Sequence, residues 1–432
     1  MSKIDPHISI GEVRRAKDSE YCIRKDITID HLNLSVNTPF KVLEGKNVNL
    51  ESAVKVAKKV SNSVFESARV VGMKHSGWDE LHYLVEEAHD DRIKGLNRFF
   101  GLRKDLSDAE PLRVLSLVLM RNPFELQKFK TKKGPQTVPA FSKLNYTQLL
   151  DFLHVGSQAM VLSPDMNVPG QSINSYLRFV DRNMSDLNSM NNKPIFAPIQ
   201  PQLTPTELDR ILSHYKLEGY VNIWVNFNGS QLGGTYFARM RTLLKRIDKR
   251  FGLGNVTLYC THVKKEATSN LKNDVVLSSD IMSQFFSADF MGVNYSRPRN
   301  IPKKTKEENK NKKIADGEYL NEEEYDEDYK IHHTRVFDPR SYYYYKITKY
   351  PRQLPYSQET LTGSAFNGLL NSSLLRMEVE SMKSHLSQND DFIKPYLKKK
   401  KGLRDNPSVI RKLAYEGNAP EQTGLWSKLA GL

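Results

Sequence analysis

Cysteine is almost absent from this 432-residue chain: Cys22 and Cys260 are the only two, and no CxxC or HExxH motif accompanies them. Two isolated cysteines support neither a disulfide framework nor a cysteine-rich zinc site, and they are typical of a reducing setting. No run of about 18 apolar residues occurs, so we expect no spanning helix. The first twenty residues have no apolar core, which argues against a signal peptide. These absences predict a soluble, cytoplasmic protein with no membrane partner.

Acidic residues are fewer than basic residues in this chain. Lysine and arginine number 64 against 50 acidic residues, which gives a formal net charge of +14. This excess favours a polyanionic partner, such as nucleic acid, over a neutral one. A basic protein with no such partner is the alternative. Since 39% of the residues are hydrophobic, the chain can bury a large core and is not expected to be disordered.

Apolar strand patterns alternate with amphipathic helix patterns from Leu112 onward. This alternation predicts a parallel sheet, and the number of units favours a closed (β/α)₈ barrel. An open, doubly wound sheet is the alternative. The N-terminal residues 20–60 add an expected hairpin and a first helix. Strands are predicted at 112–120, 159–165, 194–200, 220–227, 255–263 and 288–295.

Three regions follow from composition. Residues 1–300 are predicted to form the barrel with its N-terminal hairpin, and 301–331 a charged, flexible insertion, because a lysine-rich block precedes an acidic one. Residues 332–432 should complete the barrel and add a helical, tyrosine-rich, basic extension. In that extension Lys346 and Lys349 lie among tyrosines, which predicts stacking on bases and contacts to phosphates. Tyrosines that pack a subdomain onto the barrel are an equal alternative.

Polar residues at strand ends mark a candidate site, because chemistry in a parallel barrel gathers at the carboxyl ends of its strands. Asp165 and Gln200 end their predicted strands, Asn226 lies near the end of the next, and Asp289 lies within the last one. Burying a charged side chain on such an apolar strand costs free energy, so Asp289 needs a specific partner or role there. Carboxylates and an amide at one mouth suit the edge of a purine base. A helix-capping role is the alternative for an Asp that follows a strand.

These segments resemble the tRNA-guanine transglycosylases, especially their archaeal branch, over roughly residues 25–415. MVLSPDMNVP is similar to that family's strand with a base-recognising Asp, which is Asp165 here. PIFAPIQP is similar to the strand whose Gln reads the purine carbonyl, here Gln200. ADFMGVNYSRPR lies where the family carries its nucleophilic Asp, which implies Asp289. TPFKVLEG and NPSVIRKLA are similar to the family's opening hairpin and to a C-terminal helix.

The chain also departs from that family. The family's CxCxxC zinc loop should fall near 335–360, where no cysteine occurs, so we expect no zinc and no other cofactor. Its DSGxFQ motif should fall where Arg121 and Asn122 stand. In the strictest alignment the nucleophile falls on Gly292, so assigning it to Asp289 assumes a shift of about three residues along the strand.

Such divergence suits the phage and genomic-island relatives that place 7-deazaguanine bases in DNA. The resemblance then implies a pentosyltransferase that replaces guanine with a base such as preQ0 through a covalent Asp-glycosyl intermediate. A tRNA-acting enzyme, a non-catalytic nucleic-acid-binding partner subunit, a small-molecule barrel enzyme and a homodimer all stay open. The base would be bound by Gln200, Asn226, Phe227, Gly229 and Tyr295, and phosphates by Arg297, Arg299, Lys346 and Lys349.

Overall fold

Eight parallel strands pair in a closed ring. The computed structural model describes residues 5–57, 60–61, 63–132, 134–166, 172–190, 192–233, 235–265, 273–294 and 303–414. The ring closes because Phe290 of the last strand pairs with Phe40 of the first, and Leu43 of the first pairs with Phe65 of the second. The predicted (β/α)₈ barrel is therefore confirmed. The strands are Phe40–Lys41 with Leu43–Glu44, Val64–Val71, Leu112–Leu119, Val161–Leu162 with Asp165–Met166, Ile195–Ile199, Asn222–Asn226, Thr257–Thr261 and Phe290–Met291.

Helices connect the barrel strands and cover the outside of the ring. Side chains alternate along each strand, so one set fills the barrel interior and the other packs against the helices. Among the described residues no helix is long and apolar enough to cross a membrane. The helices that follow the strands in turn are Leu50–Val56; His75–His82, Arg92–Phe100 and Lys104–Ser107; Lys143–Gly156; Ile173–Met190; Pro205–Glu218; Thr235–Phe251; the 3₁₀ segment Asp280–Phe285; and Ser364–Gln388.

The helix after the fifth strand shows how local sequence sets these boundaries. Thr204 caps its first turn, and Thr204 and Glu207 form a reciprocal capping box. Pro205 occupies the first helical position, where its missing N–H costs no hydrogen bond. Gly219 ends the helix with a φ of 81°, a left-handed conformation that favours glycine. The chain is thereby turned back toward the sixth barrel strand.

A three-stranded antiparallel sheet closes the amino end of the barrel. Its strands are Ile8–Arg15, Ile23–Ile29 and Leu34–Asn37. Ile27 and Ile29 of this sheet share one apolar cluster with barrel-interior side chains such as Phe196. Because apolar side chains fill this end, the opposite, carboxyl end is where polar groups can meet a ligand. We call that carboxyl end the mouth.

A buried ion pair joins this sheet to the barrel. Lys25 Nζ lies 2.8 Å from Asp289 Oδ2, and both side chains are at most 1% exposed. Asp289 also accepts hydrogen bonds from Thr38 Oγ1 at 3.2 Å and from the amide of Leu258 at 2.8 Å. Lys25 donates in addition to the carbonyl of Val256 at 2.6 Å. Cation, hydroxyl and amide together satisfy a charge that burial would otherwise penalise.

The C-terminal region packs beside the barrel and completes it. Helix Ser364–Gln388 contacts the first barrel strand and so supplies the eighth helix of the ring. In the predicted flexible segment, two helices pack together, and Lys310 pairs there with Asp326 at 3.0 Å. The remaining elements are the hairpin Gln127–Thr131 with Gly134–Val138, the strands Val275–Leu277, Arg335–Asp338 and Tyr343–Lys346, the helices Lys303–Ala315, Glu322–His333, Gln358–Thr362, Lys394–Lys399, Lys401–Arg404 and Pro407–Leu413, the π-helical turn Tyr83–Glu87, and the 3₁₀ turns Asp30–Leu32, Leu253–Asn255 and Ile347–Lys349.

We expect Lys25→Met and Asp289→Asn each to lower the free energy of unfolding by roughly 3–5 kcal/mol, because each leaves an unpaired group in the core. The double variant should cost clearly less than the sum, since the two side chains interact directly. Denaturant unfolding of the four proteins measures this coupling. Lys55→Met, which removes the exposed Lys55–Glu51 pair, is the control and should change stability little. Additive losses would show that the pair is not a unit.

Candidate active site at the barrel mouth

Three side chains meet at the mouth, from the ends of the fourth, fifth and sixth strands. Asp165 Oδ2 accepts hydrogen bonds from Gln200 Nε2 at 2.8 Å and from Asn226 Nδ2 at 2.6 Å. Asp165 Oδ1 accepts one from the hydroxyl of Tyr176 at 3.2 Å. The structure thus brings together the three polar residues that the sequence placed at strand ends. Since Asp165 and Asn226 are 0% exposed and Gln200 is 2% exposed, their bonds are well shielded from water.

His262 fixes the orientation of the Asn226 amide. Because Asn226 Nδ2 donates to Asp165, its Oδ1 is the acceptor that faces His262 Nδ1 at 2.9 Å. The backbone amide of Asn228 donates to the same oxygen at 2.9 Å. Burial lowers the pKa of His262 to about 3, so the imidazole is neutral at pH 7 and carries its proton on Nδ1. His262 ends its strand in the sequence, yet nothing there showed that it holds the amide.

Glu66 is a second buried carboxylate, in the interior of the barrel, and the sequence analysis did not identify it. It lies on the second strand and is 0% exposed. Ser116 Oγ at 2.6 Å, the hydroxyl of Tyr259 at 2.8 Å and the amide of Val293 at 2.8 Å donate to it. Burial raises the pKa of Glu66, and these donors oppose that shift. Thr261 Oγ1 also lies 3.2 Å from Glu66, but its hydroxyl is closer to the carbonyl of Val293, at 2.9 Å.

Gly292 and Glu66 are mutually fitted. A Cβ atom at position 292 would lie 2.4 Å from Glu66 Oε2 and 2.6 Å from the ring of Tyr259. Both distances are shorter than a van der Waals contact, so any residue larger than glycine at 292 would displace the Glu66 carboxylate. The Glu66 carboxylate therefore occupies the space that a side chain on the eighth strand would need.

Lys41 and Glu44 lie on the first strand, and both interact electrostatically with Glu66. Lys41 is 2% exposed, and its Nζ donates to the carbonyl of Gly292. Burial lowers the pKa of Lys41 to about 8, while the charges of Asp280, Glu66 and Glu44 oppose the shift. Glu44 is half-buried, and desolvation raises its pKa to about 7. Shifted titratable groups gathered in this way are typical of functional sites.

Asp289 does not lie at the mouth, so that expectation was wrong. It precedes the eighth strand, Phe290–Met291, and lies at the amino end of the barrel in the Lys25 ion pair. A residue at the start of a parallel strand lies at the opposite end of the barrel from Asp165. The resemblance implied that Asp289 is the nucleophile. In the structure its carboxylate instead joins the N-terminal sheet to the amino end of the barrel.

The other predicted site residues are scattered. Phe227 is 1% exposed and belongs to the apolar core between strands and helices, so it does not face the mouth. Gly229 lies in the loop after the sixth strand, with a φ of 78°, and its amide donates to the carbonyl of His262 at 2.9 Å. Tyr295, Arg297 and Arg299 lie outside the described residues.

Two tyrosines of the tyrosine run pack inside the protein, in agreement with the alternative that these residues pack a subdomain onto the barrel. Tyr342 and Tyr344 are at most 1% exposed, and their hydroxyls donate to Glu378 at 2.6 Å and Asp280 at 2.7 Å. These two rings are therefore not available to stack on bases. Lys346 pairs with Asp274 at 2.9 Å, and Lys349 is exposed.

Comparisons with known proteins show no family for this chain. No family model and no curated protein matches the chain. Among solved structures, a morphinone reductase in complex with tetrahydroNAD is similar with a TM-score of 0.32 and 10% identity, over 63% of this chain and 88% of that one. A modular endo-β-1,4-mannanase from Cellulomonas fimi has a TM-score of 0.35 and 10% identity, over 59% of this chain and 65% of that one. Within the described ranges, no group of three or more His, Cys, Asp or Glu residues could hold a metal ion.

We expect Asp165 to make the protein more stable as the pH falls from 7 to 4. Burial raises its folded pKa to about 6, above the value of about 3.9 for an unfolded chain. The folded state therefore binds more protons in this window, and the stabilisation is lost as the pH rises through the folded pKa. The unfolding free energy of the wild type, minus that of Asp165→Asn, should rise by about 2 kcal/mol on acidification.

Urea unfolding of both proteins at each pH measures this difference. His262 has a lowered pKa and acts in the opposite sense, but it is present in both proteins and cancels. A difference that stays flat or falls between pH 7 and pH 4 would contradict the environment described for Asp165.

Proposed function

We propose that the protein is a pentosyltransferase that exchanges a guanine-type base in a nucleic acid, with DNA as the polymer and a 7-deazaguanine as the incoming base. One observation carries the proposal: Asp165, Gln200 and Asn226 form a single hydrogen-bonded group at the mouth. The Watson–Crick edge of guanine offers N–H donors beside a carbonyl acceptor. A carboxylate can accept from those N–H groups while an amide donates to the carbonyl. The target nucleotide must leave the stack to reach them.

Glu66 in the barrel interior and Glu44 at the end of the first strand supply carboxylates for a double displacement. In the proposed reaction a Glu66 oxygen forms a bond to C1′ while the bond from C1′ to the base nitrogen breaks. The departing guanine keeps the electron pair and takes up a proton. The incoming 7-deazaguanine then loses its proton, forms the new bond to C1′ and displaces the carboxylate. Retaining glycosidases use the same two-step logic.

Glu44 suits the proton transfers. Its pKa of about 7 lets it hold a proton and release it near neutrality, which is the range in which a general acid and base works best. Glu66 is assigned the attack on C1′. Burial raises its pKa, and its donors Ser116, Tyr259 and the Val293 amide, together with the Lys41 charge, oppose that shift. Two carboxylates in different environments can thus take two roles.

A second candidate is a non-catalytic nucleic-acid-binding partner subunit. The observation that favours it is the complete enclosure of Glu66, which is 0% exposed and already accepts hydrogen bonds from Ser116, Tyr259 and the amide of Val293. On this view Glu66 organises the barrel interior as Asp289 organises its amino end. The net charge of +14 supports either candidate, because both bind a polyanion.

Base exchange is the direct test. We expect labelled guanine, or labelled preQ0, to enter DNA and not tRNA when it is incubated with the purified protein. Asp165→Asn should lower incorporation at least about 100-fold, because the acceptor for the base is lost. Asp289→Asn is the matched control and should keep the activity of its folded fraction, since Asp289 lies at the other end of the barrel.

Three results would redirect the assignment. Label in tRNA and not in DNA would make the protein a tRNA-acting enzyme. Loss of exchange in Asp289→Asn with full exchange in Asp165→Asn would overturn the site. No label in any polymer, with nucleic-acid binding retained, would favour the partner subunit.

Replacing Glu66 and replacing Glu44 should change the pH dependence of the exchange rate in different ways. Glu66→Gln is expected to abolish exchange at every pH while leaving binding of the free base intact. Glu44→Gln should keep a reduced rate and lose the limb of the pH–rate profile near pH 7, where the Glu44 pKa lies. The profile of kcat from pH 5 to pH 9, with base binding by calorimetry, measures both. A Glu66→Gln protein that exchanges at the wild-type rate would remove Glu66 from the reaction.

A further inference from the structure

A β-hairpin rises from the mouth between the third barrel strand and the helix that follows it. Its strands, Gln127–Thr131 and Gly134–Val138, pair antiparallel, with Phe129 opposite Gln136. Because the third strand ends at Leu119, this insertion starts at the carboxyl end of the barrel. It therefore stands beside the site and not at the closed end.

The hairpin has one buried face and one basic face. Gln127, Phe129 and Val138 are at most 5% exposed and pack onto the protein. Lys128 and Lys130 alternate with them along the strand and are exposed. This two-residue period places both lysines on one face, about 7 Å apart.

Packing holds the basic face in place. The ring of Phe129 meets that of His75 edge to face, with centroids 5.3 Å apart. On another side the guanidinium of Arg121 lies 4.4 Å from the centroid of the Phe129 ring. Arg121 also donates to the carbonyl of Lys128 at 3.1 Å. An anchored strand loses little conformational freedom when its lysines bind a partner.

The lysines of this face have no acidic partner. Lys128 and Lys130, with Lys132 at the turn, are exposed, and none forms an ion pair within the part of the chain that the structure describes. By contrast, Lys310 in the C-terminal region and Lys346 are each neutralised by a carboxylate. Three uncompensated positive charges on one rigid edge create a local field that attracts polyanions.

We infer that this hairpin binds the phosphate backbone of the nucleic acid whose target nucleotide enters the mouth. The inference rests on the proposed function for the identity of the polymer. Lysine contacts to phosphates position a strand without reading its sequence. The hairpin would thus hold the flanking backbone while Asp165, Gln200 and Asn226 read the extruded base.

Nucleic-acid binding by charge-neutralised variants tests the inference. The triple variant Lys128→Gln, Lys130→Gln, Lys132→Gln removes the basic face. The control variant Lys104→Gln, Lys245→Gln, Lys249→Gln removes the same charge from exposed positions toward the amino end of the barrel. Fluorescence anisotropy with labelled single-stranded DNA, duplex DNA and tRNA is measured for wild type and both variants from 50 to 300 mM KCl.

We expect the hairpin variant to bind at least about tenfold more weakly than the control variant at low salt. The slope of log affinity against log salt should fall by about 2 to 3, since each lost phosphate contact removes about 0.7 to 0.9. In an exchange assay the same variant should raise KM and leave kcat unchanged. Equal binding by the two variants would overturn the inference, and so would a wild type that binds none of the three polymers.

Other outcomes would reject the proposed function without rejecting the contact between the hairpin and the phosphate backbone. A wild type that binds DNA through the hairpin and exchanges no base would support the backbone contact and reject the transferase. Preference for tRNA over both DNA probes would keep the contact and change the polymer.

Discussion

A carboxylate inside a closed barrel has no water to stabilise its charge, and this constraint organises both ends of the molecule. The desolvation of an isolated charge costs far more than one hydrogen bond returns, so each buried acid needs a dedicated set of partners. At the amino end Asp289 is neutralised by Lys25, a full opposite charge delivered by the N-terminal sheet. At the mouth Asp165 has only neutral donors around it.

That difference in partners separates a carboxylate that only stabilises the fold from one that can still bind a ligand. A carboxylate neutralised by a buried cation has little left to offer a ligand, and its replacement is felt in stability. A carboxylate held by amides and hydroxyls keeps its negative charge, and burial then raises its pKa, as it does for Asp165. Such a group can exchange a protein donor for a ligand N–H.

Much of the fold could be predicted from the sequence, because the helices between strands carry regular amphipathic patterns and clear end signals, such as Thr204 and Gly219. The first two strands were missed. Phe40–Lys41 and Leu43–Glu44 are too short for a pattern, and Glu66, Ser67 and Arg69 interrupt the apolar pattern of Val64–Val71. Glu66 is the only acidic residue of that strand, and this was the available signal for it. Asp289 was misplaced because periodicity shows which residues share a strand but not where hydrogen bonding begins.

The fit between Gly292 and Glu66 is a packing constraint inside the barrel. The strict alignment places the nucleophile on the eighth strand at 292, where this chain has a glycine that could not accept a side chain beside Glu66. The second strand therefore delivers a carboxylate to the volume that the eighth strand leaves empty. Within a barrel, side chains from several strands converge on the same central space, so a group can change strands and keep its location. Motif order alone would not find the Glu66 carboxylate, because it comes from the second strand and not from the eighth.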